Sequence, residues 1–142
     1  MAASMVFYNS WIEKVGEAVN LESDAFKVGL TTSSYTPDAA THDELADITN
    51  ELSGSGYARQ DLDGSYTNSS GTCTFDAADT VFTASGGTIT ARYYFIYDDT
   101  VSGDPLVCYG LLDTTPANVS VTDGNTLTIQ WNASGIFTIA KV

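Results

Sequence analysis

The chain has 142 residues, the length of one domain with a buried core and short for two. It carries 18 acidic against 5 basic side chains, a formal charge of -13, yet only 16% of its residues are charged and 43% are hydrophobic. That balance is too apolar for a disordered acidic tail and has the wrong sign for a nucleic-acid binder, whose affinity comes from neutralising phosphates.

No run approaches the roughly eighteen consecutive apolar residues of a membrane-spanning helix, so no membrane partner is expected. Met1-Ala-Ala-Ser-Met-Val-Phe-Tyr lacks the basic region and long apolar run of a secretory signal, which points to synthesis in the cytoplasm without export by that route. Ser10-Trp11-Ile12-Glu13 has the S-x-x-E form of a capping box and predicts a helix starting there. Ile12, Val15 and Val19 form its apolar stripe with Trp11 beside them, while Glu13, Lys14 and Glu17 face water. Residues 1–23 thus read as an arm and helix packing on a single domain, 1–142.

Beyond this helix the period changes from 3.6 to 2. Phe26, Val28 and Leu30 alternate with Lys27 and Gly29 and read as a strand with one buried face. Thr41-His42-Asp43-Glu44 repeats the capping-box form ahead of Leu45 and Ile48, so a second helix of one or two turns is expected. Cys73 and Phe75, then Leu127, Ile129 and Trp131, alternate with threonines and a glutamine in two more strands. Turn sequences punctuate them, among them Ser53-Gly54-Ser55-Gly56, Asp63-Gly64, Ser85-Gly86-Gly87 and Asp123-Gly124-Asn125. Short threonine-rich strands so spaced describe a mainly β fold, an antiparallel β-sandwich or jelly-roll-like barrel, with the N-terminal helix and one short additional helix.

Thr88 to Tyr97 and Leu106 to Leu112 form a predicted hairpin that differs from the rest. Ile89, Ala91, Tyr93, Phe95 and Tyr97 share one face, Thr90, Arg92, Tyr94 and Ile96 the other; Val107, Tyr109 and Leu111 oppose Leu106, Cys108 and Leu112. Strands apolar on both faces are covered on both. The cover is either the N-terminal helix or another subunit.

Candidates for chemistry are sparse. Cys73 and Cys108 are expected to be free thiols, and with no C-x-x-C pair and His42 the only imidazole, no metal site is predicted. His42 lies within a capping sequence, with no G-x-S-x-G elbow to supply a nucleophile, and reads as a surface residue at a helix start. Asp61 with Asp63, Asp76 with Asp79, Asp98 with Asp99, and Asp104 could hold Ca²⁺ or act as a glycosidase pair, but aspartates beside glycine and threonine are what turns use for their own hydrogen bonds. Asn68, Asn118 and Asn132 match N-x-[ST], a pattern that arises by chance in a chain rich in serine and threonine. Tyr8, Tyr35, Tyr57, Tyr66, Trp11 and Trp131 are available for a sugar-stacking platform, although Trp131 is in phase with the core residues Leu127 and Ile129. No cofactor is expected.

Several stretches, in order, carry a family likeness. Phe26 to Asp38 (FKVGLTTSSYTPD) with Ala40-Thr41-His42-Asp43, then Ser53 to Tyr57, Phe75-Asp76-Ala77-Ala78-Asp79, Ile89 to Tyr93, Tyr97-Asp98-Asp99-Thr100, Thr128 to Ala133 and Gly135 to Thr138 resemble small virion proteins of tailed bacteriophages. Asp61 to Thr72 and the two cysteines have no counterpart in that pattern. The resemblance implies a non-enzymatic structural protein, a decoration or cement protein on the exterior of the capsid. Its partner would be the major capsid protein, with homo-oligomer contacts on the shell and no nucleic acid. A tail or neck component and a carbohydrate-binding host-recognition module are the alternatives. The charge of -13 agrees with an exterior position, because packaged DNA would repel it. Contact residues expected from the apolar arm and the two-faced hairpin are Met5, Val6, Phe7, Tyr8 and Trp11, with Tyr94, Ile96, Val107 and Tyr109.

Overall fold

A computed structural model describes residues 5–141. In chain order the elements are β1 (Val6–Phe7), α1 (Asn9–Glu17), β2 (Phe26–Thr31), β3 (Gln60–Leu62), β4 (Gly64–Ser69), β5 (Thr72–Ala77), β6 (Thr80–Thr83), β7 (Ile89–Ala91), β8 (Tyr93–Asp98), β9 (Leu106–Leu111), β10 (Val119–Val121), β11 (Thr126–Ile129) and β12 (Phe137–Ala140), with a 3₁₀ turn at Leu45–Asp47. The fold is mainly β, antiparallel and sandwich-like. A five-stranded sheet runs β1-β9-β8-β2-β3, a three-stranded sheet runs β12-β5-β4, and β7 with β10 and β6 with β11 form two-stranded pairs. Between these sheets lies a core that includes Trp11, Phe26, Leu30, Phe75, Phe82, Ile96 and Ile129. The period-2 strands expected at Phe26, Cys73 and Leu127 are present as β2, β5 and β11. Trp131, just past β11, is buried as its phase predicts, and its indole N–H donates to Thr80 Oγ1 at 3.2 Å.

Both capping boxes are corrected. Helix α1 begins at Asn9 with Tyr8 in the N-cap position and no side-chain cap. Tyr8 is held from elsewhere: its N–H donates to Val107 O at 3.2 Å, and its hydroxyl bonds Tyr35 Oη at 2.9 Å. A capping residue fixed by long-range contacts moves the N-cap two residues ahead of Ser10, whose buried Oγ has no partner. Where a second helix was expected there is only the single 3₁₀ turn. Its start is closed by the Asp47 carboxylate, which accepts from the N–H groups of Asp43 and Glu44 at 2.9 and 3.1 Å, rather than by Thr41.

The expected hairpin is also divided. Ile89 and Ala91 belong to β7, which pairs with β10, while β8 pairs with β2 and β9. Arg92 marks the change of sheet, donating its N–H to Thr31 O and accepting from Leu112 N–H. A change of sheet inverts the phase, so Ile89 and Ala91 face the main core together with Tyr94 and Ile96, not with Phe95 and Tyr97.

The second face of the five-stranded sheet carries Phe95, Tyr97, Leu106 and Tyr109, and neither α1 nor another subunit is what covers it. The segment 32–50 does. Leu45 and Ile48 pack on this cluster, and Tyr35 stacks on His42 with ring centroids 5.7 Å apart. The Tyr8, Tyr35 and His42 side chains form one hydrogen-bonded line, Tyr35 Oη lying 2.9 Å from both Tyr8 Oη and His42 Nδ1. After this segment, Glu51 receives both arms of the Arg59 guanidinium at 2.8 and 2.7 Å and the Tyr57 hydroxyl at 2.7 Å. Burial pushes the Glu51 carboxyl up; the guanidinium and hydroxyl outweigh it and hold the group below its usual range.

Phe95 lies over Gly29, its register partner on β2, so closely that a Cβ at Gly29 would overlap its ring. Gly16, by contrast, has nothing within 4 Å of where a Cβ would lie. Gly29→Ala is therefore expected to lower unfolding free energy by about 1–3 kcal/mol through overpacking, and Gly16→Ala to raise it by about 0.5–1 kcal/mol through helix propensity. Urea denaturation of the two variants checks the opposite signs.

Candidate docking surface

With the hairpin covered, the large apolar side chains still exposed among the described residues are Val6, Phe7, Ile12, Val81 and Ile139. Four of these five, all but Val81, sit on the neighbouring elements β1, α1 and β12. Trp11 anchors α1 inward, its ring centroid 6.3 Å from Phe26 and 6.2 Å from Phe137. Successive helix residues turn by about 100°, so the next side chain, Ile12, projects outward and is 76% exposed. Strand β12 reaches the same place because Phe137, paired with Phe75, stacks on it at 5.1 Å and meets Phe7 edge-on at 5.5 Å. Phe7, Trp11, Ile12, Val15, Phe137 and Ile139 thereby line an apolar groove of about 240 Å³. On the far side of Val15 a shallower hollow continues past Val19 and Leu21 to Tyr66 on β4. Cys73, opposite Ile139 on β12 and Asn68 on β4, is half-buried beside this trough. Cys108 is a free thiol too, fully buried, and burial pushes it above the usual thiol range.

The structure divides the nine residues expected to make contacts. Tyr8, Trp11, Tyr94, Ile96 and Val107 are buried and have no surface to give a partner, because segment 32–50 and the main core already occupy both hairpin faces. Met5 and Tyr109 are half-buried, whereas Val6 and Phe7 are exposed, Phe7 on the groove and Val6 opposite Tyr109 on β9. Sequence reading missed Ile12 and Ile139 as surface residues and Phe137 as the half-buried wall of the groove. Ile12 fell within an apolar helix stripe, and nothing local relates residue 12 to residue 139. The six aromatics considered for a sugar platform form no exposed surface together, since Tyr8, Tyr35, Trp11 and Trp131 are buried. His42 is half-buried against Tyr35 rather than placed on a helix surface.

The paired aspartates are mostly turn and surface groups. Asp61 and Asp99 flank Lys27 at 3.9 and 3.3 Å, Asp76 accepts from Ala77 N–H, and Asp79 accepts from Trp131 N–H at 3.1 Å. Among the described residues no cluster of three or more His, Cys, Asp or Glu is placed to hold a metal ion. Asp98 is different. It is fully buried; its Oδ1 accepts from Thr100 and Val101 N–H at 2.8 and 3.2 Å and so builds the β8–β9 turn, while Oδ2 has no donor. Burial, then the neighbouring Asp24 carboxyl, pushes Asp98 up to about 6 against the hydrogen bonds from the turn.

No family model, curated protein or solved structure matches this chain. The functional reading rests on the trough, the charge and the likeness already described.

A raised carboxyl pKa means that the folded protein binds more protons than the unfolded chain between about pH 4 and 6, so this group's contribution to stability falls as pH rises through that window. In Asp98→Asn, Oδ1 still accepts from the turn and the amide donates to Asp24. The variant is expected to be more stable than the parent by about 1–2 kcal/mol at pH 7.5, with the difference disappearing at pH 4. Thermal melts of both proteins across that range check it.

Proposed function

We propose that this protein is a non-enzymatic structural component of a tailed-phage virion, a decoration protein that binds the outer surface of the head and ties neighbouring major capsid subunits together. The observation that carries the reading is the exposed trough between α1 and β12: it presents Phe7, Ile12 and Ile139 to solvent on a chain that otherwise covers even a two-faced sheet with its own loop. Apolar surface gathered in one place, rather than scattered, is the mark of a site for another protein. The formal charge of -13 favours a neutral or basic surface beneath it and disfavours contact with packaged DNA. It also keeps a densely displayed protein soluble before assembly. The likeness of the segments from Phe26 to Thr138 to phage virion proteins supplies the particle as the setting.

Binding would lower the free energy of the shell by bridging subunits, without covalent chemistry. Copy number tests this directly. Gel densitometry of purified virions is expected to show copies on the order of hundreds, matching a site repeated over the shell, whereas about six or twelve copies would assign the protein to the neck or tail. Heads assembled without it are expected to open at lower temperature, and adding back purified protein to restore their stability.

A further inference from the structure

The trough has the chemistry of a strand acceptor. Strand β12 is the edge of its sheet, in the order β12-β5-β4, and among the described residues no other strand pairs with its outer side. Lys141 N–H donates inward to Gly71 O at 3.1 Å. Inward and outward groups alternate along a strand, so the backbone N–H and C=O of Thr138 and Ala140 face away from β5. Soluble proteins blunt such edges with charge, proline or a bulge. The sequence Phe137-Thr138-Ile139-Ala140 carries neither charge nor proline, unlike β3 at the edge of the five-stranded sheet, Gln60-Asp61-Leu62, where Asp61 stands beside Lys27. An unguarded edge beside an apolar groove offers backbone partners and side-chain pockets together, the two requirements for binding an added strand.

Charge selects the occupant. The protein has 18 acidic and 5 basic side chains, and exposed Glu13, Glu17 and Glu22 stand on α1 and the loop after it. A second copy pairing through β12 would bring two bodies of formal charge -13 together, a repulsion that disfavours association. We propose that β12 accepts an extended segment of a partner polypeptide as an added antiparallel strand. Its apolar side chains enter the groove beside Ile12 and Ile139, and lysines or arginines alternating with them face the acidic surroundings. The proposal deepens the docking reading above, resting on it for the site, and names what the site holds.

A defined probe tests it without the particle. A capped peptide of about nine residues alternating Val or Ile with Lys and Thr spans the edge and one groove; one control carries N-methyl groups on alternate backbone amides and another has Glu in place of Lys. Cys73 is the reporter, since it neighbours Ile139 whereas Cys108 is inaccessible. Saturating peptide is expected to slow iodoacetamide alkylation of Cys73 by about fivefold or more, with little protection from either control. Ile12→Asp and Ile139→Asp, both at exposed positions, are expected to abolish the effect. Thr138→Pro, which removes an outward N–H at an edge where proline is tolerated, should weaken it at least about tenfold while leaving the thermal melt in place.

Equal protection by the N-methylated peptide would overturn strand addition, equal protection by the acidic peptide would overturn the charge selection, and absence of protection by the lysine peptide would overturn the proposal as a whole. Dimers that form through β12 at micromolar concentration, seen by ultracentrifugation and lost in Ile139→Asp, would replace the partner segment with a second copy. Virion copy number is measured separately, so a strand acceptor that is not a capsid protein, and a capsid protein that is not a strand acceptor, give different results.

Discussion

A sheet with large aromatic side chains on both faces cannot stand at the edge of a small protein, and this requirement organises the whole chain. One face of β8 and β9 closes onto the main core through Tyr94, Ile96 and Cys108. The other, with Phe95, Tyr97 and Leu106, needs its own lid, and segment 32–50 supplies it. Burying residues of this size stabilises by about 1.5–3 kcal/mol each, enough to hold a long irregular segment against the sheet. Its polar groups then need partners of their own. The line from Tyr8 through Tyr35 to His42 meets that need at the N-terminal end, and the clasp of Arg59 and Tyr57 on Glu51 meets it at the other.

The lid also explains where the remaining apolar surface lies. Tyr8 is committed to the lidded face and Trp11 to the main core, so the chain between them crosses the sheet edge. A nine-residue helix begun in this way has little freedom to rotate. With Trp11 inward, Ile12 is turned out, and Phe7, which precedes the pinned Tyr8, stays beside it. The trough is thus where two independent anchors meet, and its exposed side chains, Ile12 and Ile139, are not needed to cover the sheet.

Much of this was legible in the sequence, and the limits have physical causes. The strands containing Phe26, Phe75 and Ile129 follow from alternation, because one buried face imposes period 2 regardless of what lies opposite. The two-faced character of β8 was likewise visible as the unbroken apolar run from Tyr93 to Tyr97. What covers it was not, since segment 32–50 has no period and its grip depends on contacts between residues 8, 35 and 42. Arg92 gave no local signal that the chain changes sheets, so Ile89 and Ala91 were placed on the wrong face. The S-x-x-E signatures failed for a related reason: a cap contributes about 1 kcal/mol, less than the tertiary contacts that fix Tyr8. Asp98 looked like its neighbour Asp99 in sequence; depth alone separates a buried turn carboxylate from one that pairs with Lys27 on the surface.

The same comparison of magnitudes bears on the exposed residues. Leaving Ile12 in water forgoes stabilisation of the order gained by burying an isoleucine, about 1.5–3 kcal/mol, and a lysine or glutamate there would suit an exposed helix position as well by propensity. Ile139 poses the same question one strand away, on an edge where charge would guard against unwanted pairing. Neither side chain is required by the fold as built, because Trp11 and Phe137 already close the core behind them. Apolar residues at solvent positions that the core does not use fit a surface whose burial is completed by another polypeptide, and the acidity of the rest of the chain restricts which polypeptide that is.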